Sequence, residues 1–157
     1  MAGESALSLD NPVFRAFVTY ATVVVVKTML MSVVTAFHRF KNMAFANPED
    51  SAGFKDKEGG RLRPVSNDMV ERVRRCHLND LENVIPFVLI GLLYVTTSPN
   101  LSTAVLHFRL FAGARLFHSV AYLLPLPQPS RALGFFIGYF STFSMAYSIF
   151  SKIGLAL

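Results

Sequence analysis

Glu71-Arg72-Val73-Arg74-Arg75-Cys76-His77-Leu78-Asn79-Asp80-Leu81-Glu82-Asn83 runs without a break into Val84-Ile85-Pro86-Phe87-Val88-Leu89-Ile90-Gly91-Leu92-Leu93-Tyr94. No Gly or Pro interrupts it before Pro86, so the pattern predicts one helix that carries both a dense set of ionisable groups and a lipid-grade apolar segment. Ionisable side chains at the mouth of a membrane helix are costly unless paired or wet, which makes them a functional hypothesis by default. The excess of Arg points to an anionic ligand.

Three more apolar segments flank this one. Asp10-Asn11-Pro12 opens the first with a capping residue ahead of a proline at the first helical position. It runs to about residue 38, long enough to cross about 30 Å of hydrocarbon. Its β-branched run Val23 to Val26 would suggest a strand in water, but a lone strand in lipid leaves its backbone groups unpaired. Lys27 inside it is expected to snorkel or pair. The N-terminus has no basic n-region and the apolar run is too long for a signal-peptide core, so this span is expected to persist. The second span is expected from about residue 68 to 97, capped by Asn67 or Asp68. The third follows Asn100 and runs from about 101 to 124, stopping at Pro125-Leu126-Pro127-Gln128-Pro129, which no helix crosses. Ser130 is expected to cap the fourth, from about 130 to 150. Residues from about 39 to 67 form the single long polar connection, with Gly53, Gly59, Gly60, Pro48 and Pro64; a loop of that length is either functional or without fixed structure.

Composition agrees with an all-α integral membrane protein, one domain of four transmembrane helices. Of 157 residues, 52% are hydrophobic and only 16% charged, too apolar for an ordinary soluble domain. Trp is absent, so any interfacial belt falls to the five Tyr. The single cysteine, Cys76, excludes an intramolecular disulfide and a Cys-based zinc site. The net charge of +5 does not point to nucleic acid here, because the basic residues cluster beside a membrane segment, where anionic headgroups or an anionic substrate explain them. Nine of the fifteen Lys and Arg lie between Arg39 and Arg75. The positive-inside rule then places the long loop and the Pro-rich turn in the cytosol and both termini across the membrane. Asn100-Leu101-Ser102 is a formal glycosylation sequon on the far side, expected to be unused because two spans adjoin it.

A helical step of about 100° puts Arg75, Asn79 and Glu82 on one narrow face, with Glu71 and Arg72 at its edges, Arg74 and Leu78 flanking it, and His77 and Asp80 pointing elsewhere. Pairs such as Glu71 with Arg75 would only solvate a helix end, but Asn79, Asp80 and Glu82 lie within about a turn of the hydrocarbon, which favours a ligand site. The third span adds Arg115, His118 or Ser119, and Tyr122. Arg115 cannot shed its charge and needs an acid; Glu82 or Asp80 would supply one, and Arg115 remains a candidate substrate-binding residue. The histidines show no coordination spacing, so no metal is expected. No Ser-His-Asp order, phosphate-cradling loop or haem motif occurs, which leaves chemistry to Arg, Tyr, Ser and a substrate's own nucleophile.

Phe45-Ala46-Asn47-Pro48-Glu49-Asp50, the two charged motifs of Glu71 to Arg75 and His77 to Asn83, His107-Phe108-Arg109-Leu110-Phe111, Gly113-Ala114-Arg115, and Ala121-Tyr122-Leu123 through Arg131-Ala132-Leu133 together resemble the MAPEG family, the membrane-associated proteins of eicosanoid and glutathione metabolism. The likeness spans essentially the whole chain. It implies a homotrimer of four-helix protomers in the endoplasmic reticulum and outer mitochondrial membranes, with glutathione as co-substrate between neighbouring protomers on the cytosolic side. The resemblance places Arg39 at a residue reaching a glutathione held mainly by the neighbour. Arg74, Arg75, His77, Asn79, Glu82 and Tyr122 match binding positions, and Arg131 matches the arginine proposed to stabilise the thiolate. The implied activity is conjugation of glutathione to hydrophobic electrophiles, with glutathione-dependent reduction of lipid hydroperoxides beside it; the alternatives are a prostaglandin E synthase and a non-catalytic lipid-binding protein on the same scaffold. Ala132, Phe135 and Leu78 stand where the synthase branch has Ser, Tyr and Arg, which favours the transferase. Ser51 stands where mammalian transferases of this kind carry the cysteine tied to thiol activation, so that regulation is not expected to carry over unchanged.

Overall fold

The computed structural model describes residues 5–55 and 65–154. Residues 56–64 of the long connection, with Gly59, Gly60 and Pro64, lie outside the described residues. The chain is all-α: α1 (Pro12–Asn42), α2 (Asp68–Thr96), α3 (Leu101–Leu123) and α4 (Ser130–Ile153).

Local chemistry sets most of the boundaries. The Asn11 side chain accepts from the Val13 and Phe14 amides with Pro12 beginning the helix, and Asn67 does the same for Met69 and Val70. Asn100 caps α3 through the Ser102 and Thr103 amides. The fourth cap departs from expectation: Pro129 holds the N-cap position, no side chain caps the helix, and Ser130 is its first residue. The Pro-rich turn fixes the chain direction there without a hydroxyl acceptor. Two ends extend past the sequence reading, α1 to Asn42 and α4 to Ile153, because a helix continues beyond the hydrocarbon until its backbone is capped. For α1 that cap is Met43 in the left-handed region, its amide donating to the Arg39 and Phe40 carbonyls. Pro86 lies inside α2 without ending it, as membrane helices tolerate.

Helices α1, α2 and α4 are long and apolar enough to cross a membrane. The α3 helix has the expected limits, but it carries His107, Arg109, Arg115 and His118 and meets the same standard only in length. The pair α2 and α3 lies between α1 and α4. Phe17, Phe87, Phe108 and Phe111 form the centre, with Phe87 and Phe111 stacked at 3.8 Å. Lipid tails are as apolar as these rings, so close packing rather than escape from water favours this arrangement. Glycines permit the closest approaches. A Cβ at Gly91 would sit 2.5 Å from the Phe17 ring, and one at Gly134 would sit 2.9 Å from His118 Cβ and 3.1 Å from the Ala114 carbonyl. Gly134 and Gly138, four residues apart, therefore let α4 settle against the buried polar side of α3.

Candidate functional site

The charged half of α2 distributes its side chains over three directions. Arg74 and His77 face α1, where with Arg39 they line a cleft of about 570 Å³ whose apolar wall includes Phe40, Phe45 and Leu78. Arg39 Nε is buried there without a hydrogen-bond partner among the described residues. The cleft thus offers cationic donors beside apolar surface, a setting for an anionic molecule with a hydrophobic companion.

Asp80 turns to the core, as its place off the Arg75 face requires. It is fully buried, and its two carboxylate oxygens take different cations: Oδ1 accepts from Arg115 Nη2 at 2.7 Å and Oδ2 from Lys27 Nζ at 2.5 Å. Of the two acids that could have answered Arg115, the structure selects Asp80, and it resolves Lys27 as paired. Removing one partner of such a buried cluster strands a charge at a cost of about 3–5 kcal/mol. Arg115 is also fully buried; the same Nη2 donates to Asn79 Oδ1 at 2.9 Å and lies 3.3 Å from His118 Nδ1. Its Nε and Nη1 find no partner among the described residues. Lys27 and Arg115 thus share one carboxylate, one on each oxygen.

From Arg115 the polar chain continues toward the Pro-rich turn. The His118 ring lies 5.5 Å from that of Tyr122, and the Arg131 guanidinium sits over Tyr122 with Cζ 5.0 Å from the ring centroid. Arg131 Nε is buried and unpartnered among the described residues. Arg72 Nη1 donates to the Tyr122 carbonyl at 3.3 Å, tying α2 to the same end of α3.

Arg75 and Glu82 point outward, exposed, with no side-chain partner among the described residues. The exposed ion pair at the start of α2 is Glu71 with Arg74, at 2.8 Å and three residues apart, rather than Glu71 with Arg75. The face read from helical angles therefore divides: Arg75 and Glu82 stay outside, while Asn79, placed on that same face, reaches in to Arg115. Within one chain the candidates make two groups, Arg39, Arg74 and His77 in the α1–α2 cleft, and Asn79, Arg115, Tyr122 and Arg131 on the α2–α3–α4 side. The convergence of Lys27 on Asp80 was not legible in the sequence, since the two are 53 residues apart and only a bundle brings them together.

Sequence comparison follows the same lines. The profile of the MAPEG family matches residues 17–151. Microsomal glutathione S-transferase 1 of mouse is 56% identical over 141 residues, 90% of this chain and 91% of the relative. The human protein of that name is 57% identical over the same length and shares. Human prostaglandin E synthase is 35% identical over 144 residues, 92% of each chain.

Proposed function

This chain belongs to the MAPEG family, and from that premise we propose that it is a membrane-bound glutathione transferase, conjugating glutathione to hydrophobic electrophiles that reach it through the bilayer. The observation that carries the reading is the gap in identity: 56–57% to glutathione S-transferases over nine-tenths of the chain, against 35% to a prostaglandin E synthase over the same extent.

Glutathione carries two carboxylates, an ammonium and a thiol, so its recognition requires several arginines and at least one acid. Arg39, Arg74, Arg75, His77, Asn79, Glu82 and Tyr122 supply that chemistry. Their division between two sides of α2, with Arg75 and Glu82 exposed between, supports a site completed by a neighbouring protomer of a homotrimer. In that arrangement Arg39 serves a glutathione held mainly by the next subunit.

Arg131 is the catalytic residue of this reading. The thiolate is the nucleophile, and a free thiol with pKa about 8.5 is only a few per cent ionised at neutral pH. Lowering that pKa by about two units requires about 2.7 kcal/mol of preference for the anion. One guanidinium at about 4 Å supplies about 4 kcal/mol at an effective dielectric near 20. The uncapped N-terminus of α4 beside Arg131 adds about 0.3–1 kcal/mol. A single arginine is therefore sufficient. The sulfur attacks the electrophile's carbon, a leaving group departs with the bonding electrons, and the thiol proton passes to solvent. With a lipid hydroperoxide, two glutathiones are oxidised to the disulfide while the peroxide is reduced to an alcohol and water.

We place the protein in the endoplasmic reticulum and outer mitochondrial membranes, with residues 39–67 cytosolic. The test is glutathione consumption by the purified protein with a chlorinated dinitrobenzene, run beside a prostaglandin-endoperoxide assay. Conjugation without isomerisation is the expected result; isomerisation alone would move the chain to the synthase branch. Saturable lipid binding with neither activity would make it a lipid-binding member.

A further inference from the structure

Asn79 has an amide that reads differently from its two ends, and the buried cluster decides which end faces outward. Arg115 Nη2, a donor with no accepting capacity, occupies Asn79 Oδ1 at 2.9 Å. The Asn79 backbone carbonyl is taken by Asn83 Nδ2 at 2.7 Å. Among the described residues the Asn79 amide nitrogen donates to no one, and the side chain is half-buried between outward-facing Arg75 and Glu82, one turn away on either side. Arg115 is in turn held by Asp80 Oδ1 at 2.7 Å, and Asp80 is steadied from α1 by Lys27.

We propose that Asp80 is a positioning residue for glutathione: by fixing Arg115 it pins the Asn79 carbonyl inward, so that Asn79 presents only its N–H donors and reads a carboxylate or peptide carbonyl of the tripeptide, never its ammonium. The inference rests on the glutathione reading above and deepens it. Without the Asp80 charge, buried Arg115 is a cation with no counter-charge, and the guanidinium is no longer held beside Asn79. Reading the ammonium is left to Glu82, the exposed acid one turn further along α2.

The test uses the full-length protein and steady-state kinetics with glutathione varied at a saturating electrophile. Wild type must saturate with glutathione; absence of turnover would overturn the functional reading and this proposal with it. Given a saturating wild type, Asp80→Asn should raise the glutathione KM about tenfold, the size of one lost charge-assisted hydrogen bond, with a much smaller change in kcat per folded protein. In an Asn79→Ala background the same change should add little to KM, because both act through one amide. A glutathione KM unchanged in Asp80→Asn, or raised equally in both backgrounds, overturns the proposal and leaves the glutathione reading intact. Asn79→Asp tests the polarity even where Asp80→Asn fails to fold, since an aspartate keeps the shape and still pairs with Arg115. Loss of the donor should raise KM about tenfold or more over wild type; a lowered KM would mean that position 79 faces the ammonium.

Discussion

The Arg131 guanidinium lies over the Tyr122 ring, Cζ 5.0 Å from its centroid, so the last turn of α3 serves as a platform for a cation at the first turn of α4. A cation over an aromatic face is worth about 0.5–2 kcal/mol depending on solvation, enough to hold one rotamer. Arg131→Ala should therefore raise the pH at which the ultraviolet absorbance of enzyme-bound glutathione thiolate appears, and lower turnover. Glutathione affinity should change less, since in the proposed site its carboxylates are read by Arg39, Arg74 and Arg75. Tyr122→Leu should move the thiolate titration in the same direction by removing the platform, and Tyr122→Phe should not. An unchanged titration in Arg131→Ala would transfer the role to another cation.

Gly134 sets the distance between α3 and α4. A methyl group there would meet His118 Cβ at 2.9 Å and the Ala114 carbonyl at 3.1 Å, and backbone does not yield cheaply. Gly134→Ala should cost about 1–3 kcal/mol and lower the thermal midpoint in detergent. Gly113 provides the control, because nothing lies within 4 Å of its Cβ position; Gly113→Ala should leave the midpoint unchanged or raise it.

Helix count and most helix ends were legible in the sequence because caps and proline act locally: Asn11 with Pro12, Asn67 and Asn100 behave as their types dictate. Ser130 did not, since the same turn can be ended by the Pro-rich segment before it and the hydroxyl is not needed. Helical angles separated Asp80 from Arg75 correctly, and the charge of Arg115 demanded an acid. What angles cannot supply is the neighbour, so the cleft that Arg39 shares with Arg74 and His77 became visible only with α1 beside α2.

Cys76, the single thiol, is fully buried in α2 with its sulfur 3.7 Å from the Ser119 hydroxyl. Maleimide should not modify it in the folded protein and should not alter activity, while modification should be complete after denaturation in detergent, as mass spectrometry would show. Ser51 is also buried, at 1% exposure, with its hydroxyl donating to the Pro48 carbonyl at 2.8 Å. A Ser51→Cys thiol should then react more slowly than an exposed one, at a rate set by opening of the turn. Prompt modification of Cys76 in the folded protein would contradict the first expectation, and a Ser51→Cys thiol that reacts as fast as an exposed one would contradict the second.

Orientation can be read from one loop. In the proposed orientation, which rests on the charge asymmetry, residues 39–67 are cytosolic, so protease added to sealed microsomes should cut there and spare an N-terminal tag. Glycosylation cannot substitute as the readout, because Asn100 Oδ1 already caps α3 through the Ser102 amide at 3.0 Å and the Thr103 amide at 3.4 Å. Glycosidase should accordingly leave the protein's mobility unchanged, and Asn100→Ala should cost about 1 kcal/mol of stability as a lost cap rather than remove a glycan. Digestion of the N-terminal tag with the loop intact would invert the topology and move Arg131, Tyr122 and the α1–α2 cleft to the lumenal face, away from the cytosolic glutathione site that the reading requires.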